Sequence, residues 1–266
     1  MTFIFKPFFK SQLIKLLSLA LGMFLLSSVI LTQHALANYG DFGPSHYPSH
    51  LTTGIGVYFA PLDLPLYKHP HDAQPVDVLH WTEQPNSSGN KVYSEAAHFS
   101  LPAQQIFLAF FPTRKVAILP VLSDDGNGWV EVMVDQHKKA TAWVPLKADL
   151  PPAVTDGQPK HIGEFQTWLD FMKYNTKAAG FYWLTGVDDY TRALRMAPRD
   201  DAKILELLVV RKMTVKHIRG NWLLVEAVDF DRSTPIGWIR WRDKNGKLLL
   251  FPNLEKKRSL PIIGQF

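Results

Sequence analysis

The chain of 266 residues predicts a mainly β protein, with two small barrels joined by a linker and one amphipathic α-helix. Three observations lead there. Valines and leucines alternate with polar residues in short runs bounded by Gly, Pro, Asn and Asp, the pattern of half-buried strands and tight turns. Two of these stretches, GNGWVEVMVDQHKKATAWVPL (126–146) and RGNWLLVEAVDFDRSTPIGWIRW (219–241), share a tryptophan after a glycine-containing turn, an alternating strand, a polar loop and a returning tryptophan. Upstream of each stands L-x-x-x-P-x-D: Leu66, Pro70 and Asp72 in one copy, Leu194, Pro198 and Asp200 in the other. Landmarks repeated in the same order mark an internal duplication, which decides how the fold is divided.

The N-terminus determines which residues belong to that fold. Lys6, Lys10 and Lys15 precede an uncharged run from Leu16 to Gln33, which ends in HALA. A basic start, an apolar stretch and small residues at Ala35 and Ala37 are the features of a secretory signal peptide, with cleavage after about Ala37. Residues 1–37 are therefore assigned to a leader. The protein is placed in the periplasm or outside the cell, without membrane insertion once the leader is removed. The alternative is a retained N-terminal membrane anchor, because the apolar run approaches the length that spans a bilayer.

No cysteine occurs, which excludes disulfides, thiol catalysis and cysteine-ligated metal. Three of the 29 basic residues leave with the leader. The remaining 26 face 24 acidic ones, so the formal charge falls from +5 to +2. Such a balance lacks the basic stripe of a nucleic-acid binder, and no nucleic acid is expected as partner.

Residues 38–54 are rich in Gly, Pro, Ser and His and read as an irregular lead-in. The first domain runs over 55–149. Its copy of the pattern is longer than the second by an insertion at about 73–109, in which VDVLHW and KVYSEA flank the turn-forming PNSSGN and predict an added hairpin. Residues 150–180 form a Pro-rich linker and a helix, expected over 164–179, with Phe165, Trp168, Leu169 and Met172 on one face and a stop at Gly180. The second domain covers 181–255, and the tail 256–266 is basic with an apolar end.

In WVEVMV, Val130, Val132 and Val134 share one face, with Trp129, Glu131 and Met133 on the other; in WLLVEAV, Leu223, Val225 and Ala227 share a face. DDGNG at 124–128 reads as a tight turn rather than a calcium loop, because it lacks the alternation and distal Glu of an EF-hand.

The order of strand, L-x-x-x-P turn, strands, tryptophan hairpin and closing tryptophan resembles the bacterial SH3-like (Src-homology 3, SH3b) domain. Thr191 to Trp241 carry the better match, over about fifty residues. The first copy matches at LPLYKHPHD and at the GNGW hairpin, with Ala142 where the second has Gly237. The resemblance implies two SH3-like barrels acting as binding modules of the cell envelope. The expected partner is a cell-wall polymer, such as peptidoglycan, or an envelope protein.

Chemistry-bearing candidates are few. Trp129, Trp222, Trp241, Tyr190 and Tyr67 are candidates for a ligand-binding aromatic surface, whereas Trp143 and Trp238 are expected to fill the two cores. His69 and His71 bracket Pro70 ahead of Asp72, a donor set suited to zinc or copper. The second copy has Ala197 and Arg199 there, so solvated loop histidines are the preferred reading. No nucleophile elbow, phosphate loop or H-E-x-x-H motif occurs. A non-catalytic protein without a cofactor is therefore expected. Two alternatives to envelope binding are an assembly factor docking through the insertion and the helix, and a periplasmic metal-binding protein.

Overall fold

The computed structural model describes residues 54–81, 91–95, 100–112, 115–150, 161–184, 186–207, 212–228 and 234–254. The leader, most of the lead-in, the PNSSGN turn, most of the Pro-rich linker and the C-terminal tail lie outside these residues. Among the described residues the fold is mainly β, and no sheet closes into a barrel. No helix among them is long and apolar enough to cross a membrane.

The described residues form four sheets. The first has the order β10-β1-β7-β8-β9, from Phe165–Thr167, Gly56–Phe59, Val116–Asp124, Trp129–Asp135 and Ala140–Pro145, with β6 (Ala109–Phe111) also paired to β7. The second has the order β2-β3-β4-β5, from Asp63–Leu66, Asp77–His80, Lys91–Ser94 and Ser100–Pro102. The third runs β13-β12-β16-β15-β14, from Ile204–Leu207, Ala193–Arg195, Ile236–Arg240, Trp222–Val228 and Lys212–Arg219. A two-stranded ribbon joins β11 (Phe181–Trp183) to β17 (Leu250–Pro252).

Alternation in the sequence explains the layering. Odd and even positions of a strand face opposite sides of the sheet. In β1, Tyr58 faces a cluster with Leu64, Leu79, Trp81, Phe107, Val130 and Val144. Its neighbours Val57 and Phe59 face a second cluster with Phe171, Leu223, Ile239, Trp241 and Phe251. That second cluster draws on both copies and on the helix between them. The described residues accordingly belong to one compact unit.

The tryptophan hairpins of the two copies pair in the same register, whereas β1 pairs with β7 in the first sheet and β14 ends the third. Tyr67, just after β2, bridges Trp143 of β9, and Arg195 of β12 pairs with Trp238 of β16. Glu131 stands opposite Trp143 and Leu224 opposite Trp238. In both, the L-x-x-x-P strand also pairs with the strand that follows its turn, β2 with β3 and β12 with β13. Asp77–His80 thus has a counterpart in Ile204–Leu207. Among the described residues, β1 beside β7, β4, β5, the short helix α1 (Ala103–Ile106) and β6 have no counterpart in the third sheet.

Helix α2 spans Trp168–Ala179, four residues shorter at its start than the apolar spacing predicts. Phe165–Thr167 instead extends the first sheet, with Phe165 opposite Tyr58. Capping at Thr167 explains the difference. Its hydroxyl oxygen accepts from the Asp170 N–H at 3.2 Å, and the hydroxyl donates to the Asp170 carboxylate at 2.6 Å. Gly180, with φ 78°, ends the helix.

Candidate recognition faces

Each tryptophan hairpin begins at a tight turn whose chemistry is legible locally. In the first copy Asp124 accepts from the Gly126 N–H, and Asp125 accepts from those of Asn127 and Trp129. Such side-chain-to-backbone bonds close Asx turns. In the second copy Gly220 takes a left-handed φ of 54°, a conformation that favours glycine, and the turn is shorter.

The register of each hairpin sets a row of side chains across the outer face. In the first sheet the row is Tyr67, Trp143, Glu131 and Ser123, on β9, β8 and β7 after Tyr67. In the third it is Arg195, Trp238, Leu224 and His217, on β12, β16, β15 and β14. Trp143 and Trp238 are both half-buried. This reverses the expectation that they fill the cores. They share a face with Glu131 and Leu224, whereas the strand residues between them, such as Val132 and Val225, point inward and are fully buried.

The indoles expected to be accessible are the enclosed ones. Trp241 is fully buried, with its Nε1–H donated to the Gly220 carbonyl at 3.1 Å, and it belongs to the shared core. Trp129 lies on an outer face but is covered. Tyr67 meets it edge-on at 4.8 Å and His71 at 5.4 Å. Trp222 is covered by the Arg240 guanidinium, 4.6 Å from its ring centroid, and Arg240 is held by Asp200. Sequence reasoning missed these covers because Tyr67 and His71 precede Trp129 by some sixty residues, and Arg240 meets Trp222 only through the register of its hairpin.

Of the tyrosine candidates, Tyr67 is half-buried against Trp129, and Tyr190 is 56% exposed. The Tyr190 hydroxyl donates to the Asp200 carbonyl at 3.0 Å, and the Arg195 guanidinium sits 4.2 Å from its ring. Arg195 is itself buried. It donates to the carbonyls of Asp200 and Ala202 at 2.7 and 3.1 Å and to that of Tyr190 at 3.0 Å. It thereby ties the L-x-x-x-P-x-D turn to the segment before β12. Tyr67 holds the equivalent position in the first copy, where it packs on Trp129 instead.

The histidine pair does not converge. The His69 backbone N–H donates to Asp72, whereas the His71 ring lies 3.1 Å from Asp125. Among the described residues no group of three His, Asp or Glu side chains is placed to hold a metal ion. His71 nevertheless contributes to electrostatics. Desolvation, the largest influence on the Asp125 carboxyl, pushes its pKa up. The N–H groups of Asn127 and Trp129 and the His71 ring outweigh that effect and hold it below the ordinary aspartate range.

The surroundings of the two rows differ in charge. Residues 55–149 contain seven Lys and Arg against ten Asp and Glu; residues 181–255 contain thirteen against ten. The first copy is therefore net acidic and the second net basic. In the first row the Ser123 hydroxyl donates to the Glu131 carboxylate at 2.9 Å, the second row has His217 and Leu224 there, and both present a half-buried ring. No protein-family model matches the chain, and neither a curated protein nor a solved structure matches it.

Proposed function

We propose that the protein is an exported, non-catalytic binding protein of the cell envelope. It recognises peptidoglycan or an envelope protein through two SH3-like modules. One observation carries this reading: an identical cross-strand register in the two hairpins puts a half-buried indole, Trp143 or Trp238, on the outer face of each copy. A large ring held between core and solvent gives contact area at little cost in side-chain entropy, which is why such rings recur at binding surfaces. The strand order β13-β12-β16-β15-β14 supports an SH3-like arrangement for the second copy. Two linked modules raise avidity where both engage one polymer. In this reading the leader over residues 1–37 delivers the chain across the inner membrane.

Retention on purified wall material and on solubilised envelope proteins tests the proposal. The protein is expected to be held by one of these fractions, and the Trp143→Ala/Trp238→Ala variant to be released. Passage of the wild type through both fractions would remove the envelope-binding role.

A second reading is an assembly factor that docks through the insertion and helix α2. It is supported by Tyr174, 65% exposed, on an open hollow of about 410 Å³ that Gln166, Asp170 and Lys173 also line. Envelope-protein retention that survives the double indole variant and is lost in Tyr174→Ala would favour it.

A further inference from the structure

The two outer faces place opposite chemistry on one scaffold. We infer that the face of the third sheet docks an extended acidic peptide segment of an envelope protein. This rests on the recognition role proposed above and names the ligand chemistry for its second module.

Equivalent positions follow from the pairing. Opposite its first tryptophan the first copy has Pro145 on one side, and the Asp125 N–H bonds the Trp129 carbonyl on the other. Trp222 has Arg240 and Arg219 in those places. Two residues further along, Glu131 stands opposite Ser123 and accepts its hydroxyl at 2.9 Å. The second copy has Leu224 opposite His217 there. Every one of these exchanges removes an acidic or neutral group and supplies an apolar or basic one.

The result is a strip with an apolar centre and a cationic margin. Leu224 and Trp238 are half-buried, and Ile236 beside them is 58% exposed. Lys216, His217 and Arg219 on β14 are exposed. Among the described residues here, Lys216 engages Glu226 at 2.7 Å and Arg240 engages Asp200. Arg219 has no ion-pair partner among the described residues. Neighbouring strands lie about 4.8 Å apart, so the β14 margin stands roughly 10 Å from the β16 column. Positions i and i+2 of an extended peptide share one face, so apolar groups rest on Trp238 and Leu224 while a carboxylate at the next position of that same face reaches Arg219. A neutral glycan would leave that cation unmatched. Complementary charge of this kind chiefly sets selectivity and association rate.

Fluorescence anisotropy with a labelled peptide carrying Leu, Tyr and Glu at successive i, i+2 positions, separated by Ser, tests the inference. The comparison probes are the same peptide with Lys for Glu, and phosphatidylglycerol vesicles. The Leu224→Glu/His217→Ser variant reproduces the pair found in the first copy, a pair this scaffold already accommodates. Circular dichroism confirms its fold, and Arg219→Glu serves as an independent second variant. Expected is salt-sensitive binding of the Glu peptide, weaker by roughly tenfold in either variant, with no binding of the Lys peptide. Equal binding of both peptides, unchanged affinity in the folded variants, or capture of vesicles in place of the peptide would overturn the inference. Absence of peptide binding while envelope retention through Trp238 persists would overturn the acidic-peptide assignment alone. Loss of that retention as well would sink the recognition role.

Discussion

The indoles of Trp168 and Trp241 meet with ring centroids 5.3 Å apart and planes inclined at 56°. Trp168 opens helix α2 and donates its Nε1–H to the Gly54 carbonyl at 3.2 Å. The Gly54 carbonyl also accepts from Arg242, whose guanidinium lies 4.0 Å from the Trp241 ring centroid. The start of the first copy, the helix and the end of the second are thereby joined in one contact.

Removing either ring leaves a large cavity in a core that both copies share. Trp241→Ala is expected to cost about 3–5 kcal/mol. Chemical denaturation gives the total, and hydrogen exchange gives its distribution. Protection is expected to fall in β8 as well as in β15; loss confined to the third sheet would show that the copies unfold separately.

Gly237 marks one departure between the closing strands, and its surroundings explain it. A Cβ there would lie 2.7 Å from Leu194 Cγ and 2.9 Å from the Arg195 carbonyl oxygen. Gly237→Ala therefore forces the turn-bearing strand β12 away and is expected to cost about 1–3 kcal/mol. Ala142 occupies the corresponding register position of the first copy, opposite Val132 as Gly237 is opposite Val225. Ala142→Gly is expected to cost about 1 kcal/mol or less. Thermal denaturation of the two variants compares them directly.

Buried Arg195 satisfies three backbone carbonyls with one planar fork. Arg195→Met leaves them without that donor and is expected to cost about 3 kcal/mol. Arg195→Lys is expected to recover only part of the loss, because an ammonium cannot reproduce the fork. Near-ultraviolet circular dichroism will report release of Tyr190 in both variants.

The turn carboxylates make stability depend on acid. The N–H and hydroxyl of Thr191 hold the Asp188 pKa down, as the donors around Asp125 do for its carboxyl. A folded-state pKa below the unfolded one gives stability that is present above the ordinary aspartate value of about 3.9. That stability is lost as pH falls through the lower folded-state value. Urea midpoints measured over roughly pH 2–6 are expected to fall towards acid, and the fall to be shallower in Asp125→Asn.

Local patterns carried most of the strand assignment into the structure. The alternation of Leu223, Val225 and Ala227 announced a buried face, and DDGNG announced its turn. Faces covered by distant segments were not legible. Trp129 and Trp222 stand on outer faces, as their parity implies, yet Tyr67 and Arg240 cover them. Trp143 and Trp238 have the composition of core residues but lie on the solvent side of the register. Helix α2 started late because Thr167 caps it, and Phe165 was taken into the first sheet. The shared core was equally hidden, since one strand, β1, supplies Tyr58 to one cluster and Val57 and Phe59 to the other.

Nuclear magnetic resonance of the eight indole Nε1–H groups, followed while the retained wall or envelope fraction is titrated in, tests most directly which rings meet a ligand. Shifts confined to Trp143 and Trp238 are expected, with Trp129, Trp222 and Trp241 unmoved. Bound protein in which neither Trp143 nor Trp238 responds would contradict recognition through the two outer faces.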